Sequence, residues 1–237
     1  MKYFIPLFVI IFTFTLNAQT EVIDSLYRNA QFISVSNQDY KSHILEYSKV
    51  LKLNPKHSEA YNERGWAKSM LNDYTGAIED YNKAIEINPA FIEAYSHRAS
   101  AKHNLENYAG AIADYTKVIE IEPTNINAYI YRAQSKSDLD DLKSALKDFD
   151  LAIRLNPKNY LIYYYRGLAY FFDKQYKTAI KDFNTAIKLE PTSGSSYYIR
   201  GSIKYKLGKL KDACKDWKKA AQLGNDSGFE SYSNFCE

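Results

Sequence analysis

The chain of 237 residues has little of what punctuates, cross-links or arms other folds: nine glycines, six prolines, two cysteines and four histidines. Gly and Pro this scarce, and evenly placed, leave no room for a long disordered linker. The histidines are His43, His57, His97 and His103. His97 and His103 stand six apart, on different faces of a helix rather than at the i, i+4 spacing of a zinc helix, so no metal site is expected. No G-x-S-x-G, H-E-x-x-H, P-loop or Rossmann glycine pattern occurs, and no set of residues offers nucleophile, base and orienter together. The expectation is therefore no enzyme and no cofactor. Net charge is only +3 and no block of one sign stands out along the chain, which argues against a nucleic-acid partner.

Long apolar runs are also missing, with one exception. MKYFIPLFVIIFTFTLNAQT carries Lys2, an apolar run from Tyr3 to Leu16, and a small residue at Ala18. The run is short for a membrane span and has the length of a signal-peptide core. Residues 1–18 are read as a secretory signal, residues 19–23 as a short linker, and the protein as exported, periplasmic or secreted. The alternative is an uncleaved N-terminal anchor.

What the chain does have is tyrosine, 22 of them, and a period. Pro55, Pro89, Pro123, Pro157 and Pro191 follow one another at intervals of 34 residues. With each proline at position 32, six units result: 24–57, 58–91, 92–125, 126–159, 160–193 and 194–227. Position 4 is Tyr27, Tyr61, Tyr95, Tyr129, Tyr163 and Tyr197; position 8 is small from Gly65 to Gly201; position 20 is Ala77, Ala111, Ala145, Ala179 and Ala213; position 24 is aromatic from Tyr47 to Trp217. Small residues at fixed places let two helices approach closely, and aromatics fill the space beside them. A proline after the second helix stops it and turns the chain.

Arg64, Arg98, Arg132, Arg166 and Arg200 at position 7 track Asp80, Asp114, Asp148, Asp182 and Asp216 at position 23. An Arg that follows an Asp through five repeats is expected to form an interhelical bidentate pair, not a free ladder for polyanions.

A period and marker residues of this kind resemble the tetratricopeptide repeat (TPR), a pair of antiparallel helices. The resemblance implies an all-α, right-handed solenoid of six helix-turn-helix units, with residues 228–237 as a capping helix opened by Ser227 and Glu230. Phe229, Tyr232 and Cys236 would share one face of it. Cys214 holds position 21, an Ile or Leu in the other units, and faces whatever follows. A Cys214–Cys236 disulfide is expected in an oxidising compartment, and two free thiols are the alternative.

In TPR proteins the first helices line a concave groove, facing it with positions 2, 5, 9, 12 and 13. Carried over, that gives Trp66 in the second unit, Ile130 in the fourth, Leu161, Tyr164, Leu168, Phe171 and Phe172 in the fifth, and Tyr198 and Tyr205 in the sixth. The groove would be polar in the middle and aromatic toward its C-terminal half, suited to an apolar anchor of a peptide. Alternatively Phe171 and Phe172 pack, since Asp173 replaces the Leu of other units at position 14. The carboxylate-clamp pattern of chaperone-binding relatives is not matched in any three successive units. The implied function is a non-catalytic scaffold that binds a protein or peptide in its groove. The alternatives are a structural part of an envelope assembly that binds by its convex face or edges, and a glycan-binding module.

Overall fold

The computed structural model describes residues 21–31 and 39–236; the signal segment 1–18 lies outside the described residues. Within them the chain is α-helical and has no strand. Helix α1 covers 21–31, so residues 21–23, read above as linker, are already helical. The first helices of the following repeats are α3 (Ser58–Met70), α5 (Ile92–Asn104), α7 (Ile126–Asp138), α9 (Tyr160–Phe172) and α11 (Gly194–Lys206). The second helices are α2 (Tyr40–Leu53), α4 (Tyr74–Ile87), α6 (Tyr108–Ile121), α8 (Leu142–Leu155), α10 (Tyr176–Leu189) and α12 (Leu210–Gln222), and α13 (Asp226–Cys236) closes the chain. This is an all-α helical-repeat solenoid fold. It divides into two compact bodies, Met1–Ile121 and Glu122–Glu237.

In repeats 2 to 6 each helix pair is joined by the same turn. Position 15 is left-handed in all five: Asn72, Glu106, Asp140 and Lys174 have φ near 60°, and Gly208 has 72°. The next N–H reaches back five residues, as from Asp73 to Lys68 and from Gln175 to Tyr170, so the turn ends the first helix as a Schellman motif. Position 16 then caps the second helix: Gly76 N–H donates to Asp73 at 2.9 Å and Gly110 N–H to Asn107 at 3.0 Å.

The small position 8 is where the two helices meet. A Cβ on Gly65 would stand 2.7 Å from the Tyr81 ring, and one on Gly201 would stand 2.8 Å from Trp217. These positions are small because the aromatic of position 24 lies flat against them. Tyr81 and Phe183 are sealed from solvent, each burial being worth roughly 1.5–3 kcal/mol. In the C-terminal body Ala179, Phe183 and Ile203 form a core, and Tyr164, Leu168, Phe171 and Tyr176 pack around it.

The Arg–Asp pairs lie within repeats, sixteen residues apart. Arg64 Nε and Nη2 donate to Asp80 at 2.9 and 2.6 Å. The same fork joins Arg98 to Asp114, Arg132 to Asp148, Arg166 to Asp182 and Arg200 to Asp216. Two further features were not anticipated. Each guanidinium lies over the position 4 tyrosine of its own helix, at 5.4–5.7 Å. A lysine at position 11 (Lys68, Lys102, Lys136, Lys204) adds a second cation to the Asp at 2.7–2.8 Å. In the fifth repeat Tyr170 takes that place, and Asp182 keeps its arginine fork.

The third arginine nitrogen reaches back to position 25 of the preceding repeat. Arg64 Nη1 donates to Ser48, Arg98 to Asn82, Arg166 to Asp150 and Arg200 to Asn184. One side chain thus fixes a helix pair and ties it to its predecessor. The Asp hydrogen bond holds the Arg64 guanidinium pKa above its ordinary value, so the charge is never given up.

Helix α13 departs from expectation in register. It begins at Asp226, and its cap is Asn225, which accepts from Gly228 N–H at 2.7 Å; Ser227 lies inside the helix. The turn before it, Leu223–Gly224–Asn225, repeats the turn used inside each repeat, with Gly224 at φ 78° and Asn225 N–H bonded to the Ala220 carbonyl. Phe229, seven residues before Cys236, is 63% exposed, and the close packing of the helix is made by Gly228 against Ala220. Cys236 is disulfide-bonded to Cys214, with Cα atoms 5.7 Å apart. Phe235 packs on Tyr205 and Trp217, at centroid distances of 5.1 and 5.8 Å.

Candidate functional site

Helical spacing puts positions 2, 6, 9 and 13 of a first helix on one stripe. In the C-terminal body α7 presents Asn127, Tyr131, Gln134 and Asp138 there, and α9 presents Leu161, Tyr165, Leu168 and Phe172. The two stripes meet at a cavity of about 40 Å³ lined by Gln134, Ser137, Asp138, Tyr165, Leu168, Ala169 and Phe172. The α7 wall is thus hydrogen-bonding and the α9 wall mostly apolar. Phe172 stands at its edge, 70% exposed, as the most exposed large apolar side chain among the described residues.

The aromatic wall is rigid. Tyr165 meets Tyr131 edge-on at 5.8 Å and Tyr164 at 5.3 Å, and Tyr164 in turn meets the buried Phe183 at 5.8 Å. Burial, and then the neighbouring Tyr131 and Tyr164, push the Tyr165 hydroxyl up to about 12. Burial raises Tyr164 as well. Both rings remain neutral at ordinary pH, able to donate and accept hydrogen bonds but not to act as bases.

Of the residues the sequence nominated, Leu168 and Phe172 line this cavity, and Leu161 is half-buried on the same stripe. Tyr164 and Phe171 serve the core instead. Phe171 packs on Tyr176 at 6.0 Å, which settles the choice between the two phenylalanines: one packs and the other is exposed. Asp173 leaves no hole, since the leucines at position 14 of other repeats are themselves 37–48% exposed. Ile130 is a correction: it is 1% exposed and belongs to the interior, so no ligand can reach it. Tyr198 is half-buried on α11, apart from the cavity lining. Tyr205 belongs to the cluster with Trp217 and Phe235. Trp66 lies in the N-terminal body, held by Tyr40 edge-on at 5.5 Å and by His43 stacked at 6.3 Å. It fills the space beside His43, which occupies the small position 20.

The residues missed were Tyr131 and Tyr165; Gln134, Ser137 and Asp138 fall at the groove positions 9, 12 and 13 of the fourth repeat, its polar stretch. Position 6 was the overlooked signal: it falls on the same stripe as 2, 9 and 13, and in this chain it is tyrosine only in the fourth and fifth repeats. In the N-terminal body position 6 is Glu63 and His97, and these are joined through Asn62, which donates to Glu63 at 3.1 Å and meets His97 Nδ1 at 3.0 Å. Burial raises the Glu63 carboxyl and lowers the His97 imidazole, so both lean toward their neutral forms. Among the described residues no cluster of His, Cys, Asp or Glu could hold a metal ion, and no helix is long and apolar enough to cross a membrane.

Comparison with known proteins returns one architecture. Two tetratricopeptide-repeat family models match, one at residues 58–91 and 160–193, the other at 92–125 and 126–159. These are the four middle repeats and more than half of the chain. No curated protein matches. Among solved structures, a tetratricopeptide repeat protein from Parabacteroides merdae is 20% identical, with TM-score 0.71 over 95% of this chain and 96% of that one. The thermophilic TPR protein TTC0263 of Thermus thermophilus is 19% identical, with TM-score 0.65 over 75% of this chain and 97% of that one. YrrB, described as a TPR protein with an unusual peptide-binding site, is 18% identical, with TM-score 0.53 over 79% of this chain and 97% of that one. At such identities the likeness is one of fold. Period, paired helices and family models converge, and the chain belongs to the tetratricopeptide-repeat family.

Proposed function

We propose that this protein is a non-catalytic scaffold that holds an extended peptide segment of a partner protein along α7 and α9. TPR repeats support a protein–protein interaction scaffold in general; the peptide site is our own reading. The observation that carries it is Phe172, 70% exposed at the edge of a cavity whose opposite wall, Gln134, Ser137 and Asp138 of α7, can hydrogen-bond. An exposed aromatic beside fixed polar groups suits an anchor side chain with the backbone held on either side of it. The cavity, at about 40 Å³, admits a short apolar side chain. Asp138 at its rim favours a Lys or Arg next to that anchor. YrrB carries its peptide-binding site on the same fold, which lends the reading support by analogy. Export is proposed as well, supported by the apolar N-terminus and by the Cys214–Cys236 bond.

The test is selection of short random peptides displayed on phage against the purified protein. Peptides with a small apolar residue beside a basic one should be enriched. Phe172→Ser should weaken them about tenfold or more, while Phe229→Ser, an exposed aromatic on α13, should leave them unchanged. If selected peptides bind Phe172→Ser and Gln134→Ala as well as the parent, this face is not the site.

A further inference from the structure

Charge is balanced along the chain but not between its two bodies. Residues 1–121 carry 12 Lys and Arg against 14 Asp and Glu, whereas residues 122–237 carry 19 against 14. The excess is not scattered. Positions 18, 22, 25 and 29 of a second helix form one stripe, at spacings of four, three and four residues. In the C-terminal body positions 18 and 22 are Lys143 and Lys147 on α8, Lys177 and Lys181 on α10, and Lys211 and Lys215 on α12, all exposed. Position 29 adds Arg154 and Lys188, and position 25 of the last repeat adds Lys218. The carboxylate on this stripe, Asp150, is held by Arg166. Lys215 has Asp212 beside it at 3.4 Å, an exposed contact worth little. The same positions in the N-terminal body read Thr75, Glu79 and Glu86 on α4, and Ala109, Ala113 and Glu120 on α6; α2 carries Lys41 and Lys52 but has Leu45 at position 22.

The Arg–Asp forks of the first and second helices leave this stripe untouched. A lysine pair at identical places in three successive repeats is not needed to hold the solenoid, since repeats 2 and 3 do without it. Like charges brought together in this way repel, and the repulsion is relieved by a partner of opposite sign.

We propose that the outer face of α8, α10 and α12 is a docking surface for the anionic headgroups of a phospholipid bilayer. Three rows of cations spread over three helices match a flat sheet of phosphates better than the curved flank of a duplex. Eight of the nine are lysines, compact hydrated charges suited to diffuse headgroups; one is an arginine, the residue that forks onto bases and phosphates. The stripe positions themselves hold no aromatic, and Tyr232 stands beside Lys218 alone, so there is no row of rings for stacking successive single-stranded bases. Docked by its second helices, the body would keep the α7–α9 face free for a peptide. The proposal does not depend on the peptide reading.

The test is co-sedimentation of the purified protein with vesicles of phosphatidylcholine containing phosphatidylglycerol, with pure phosphatidylcholine vesicles as control. The protein should pellet with the anionic vesicles at low salt, stay in solution with the neutral ones, and be released by added salt. A sixfold variant (Lys143→Glu, Lys147→Glu, Lys177→Glu, Lys181→Glu, Lys211→Glu, Lys215→Glu) should lose at least about a hundredfold in partitioning. The matching Lys→Arg set should retain binding, and the Lys→Gln set, milder for folding, should fall between. Circular dichroism checks the fold of each. No pelleting of the parent protein, pelleting of the Glu variant like the parent, or tighter binding to duplex DNA than to the vesicles at equal salt would each overturn the proposal.

Discussion

Position 6 of the first helix is Glu63 and His97 in the second and third repeats, in the N-terminal body, but Tyr131 and Tyr165 in the fourth and fifth, in the C-terminal body. Position 22 of the second helix is Leu45, Glu79 and Ala113 in one body, and Lys147, Lys181 and Lys215 in the other. Positions 4, 7, 8, 20, 23 and 24 hardly change between them. The two bodies share a frame of stacked arginine, tyrosine and aspartate and differ at the places the frame leaves open. Residues that repeat in every unit therefore report on folding. Residues that repeat in only half of the units report on something the folding does not require.

The most forceful way to break this comparison is to attack the frame in both halves. Asp114 receives Arg98 and Lys102, whereas Asp182 has its arginine fork but Tyr170 in the lysine's place. Asp114→Ala strands two cations in a largely buried place and should destabilise by about 3–5 kcal/mol. Asp182→Ala removes the fork of one cation, Arg166, which keeps Asp150, and should do less. Urea titration of both variants compares them, and equal losses would mean that the position 11 lysine is energetically idle.

The next effect belongs to the C-terminal body. The disulfide closes a 22-residue separation, worth roughly 3 kcal/mol on the chain-entropy account. Gly228 is the buried residue of α13, so reduction should free that helix while the repeats remain folded. Hydrogen exchange should then rise across 226–236 and around Trp217, and leave the N-terminal body unchanged. Cys236→Ser should mimic the reduced state.

The smallest effect separates the bodies by pH. All four histidines lie at or before residue 103. Burial holds the His97 imidazole below its ordinary value of about 6.5, so as pH falls below that value the unfolded chain takes up a proton that the folded one resists. The stability His97 contributes near neutrality is thus lost on acidification. Glu63 works in the opposite direction, since its raised folded pKa makes proton uptake favour the folded form. Its effect runs from that raised value down to the ordinary carboxylate range. Between pH 7 and pH 6 the His97 loss should dominate, and His97→Gln should remove it. Thermal melts of the two proteins over this interval check the sign.

The frame was legible in the sequence because it repeats: a proline every 34 residues fixed the unit boundaries, and Arg64 with Asp80 betrayed a pair by recurring together. The lysine at position 11 recurs too, but it was masked among many exposed lysines whose recurrence carries no partner. Ile130 was misjudged because helical spacing gives a direction and not a depth. At position 5 the same direction holds buried Asn62 and half-buried Tyr164. Phe171 and Phe172 could not be told apart, since adjacent residues on a helix end differ by a turn of the backbone that only packing resolves. The closing helix was foreseen, but its register was not. The turn at Gly224 copies the one at Gly208, and that likeness is between positions 31 and 15, which the period does not compare.

The backward reach of the arginines has a consequence for how such a chain can grow. A repeat brings an Arg at position 7 that needs an acceptor in the unit before it, and at position 25 an acceptor that serves the unit after it. Any internal repeat can therefore be copied in tandem without new partners having to be invented. The two ends are written differently. The first repeat has Ala30 where the arginine would stand, and so makes no demand on a predecessor. The last has Lys218 at position 25, with its ammonium 5.7 Å above the Tyr232 ring, where a following arginine would meet a like charge. Adding a repeat after the sixth would thus require changing Lys218 and also displacing α13, which the Cys214–Cys236 bond ties to the same helix.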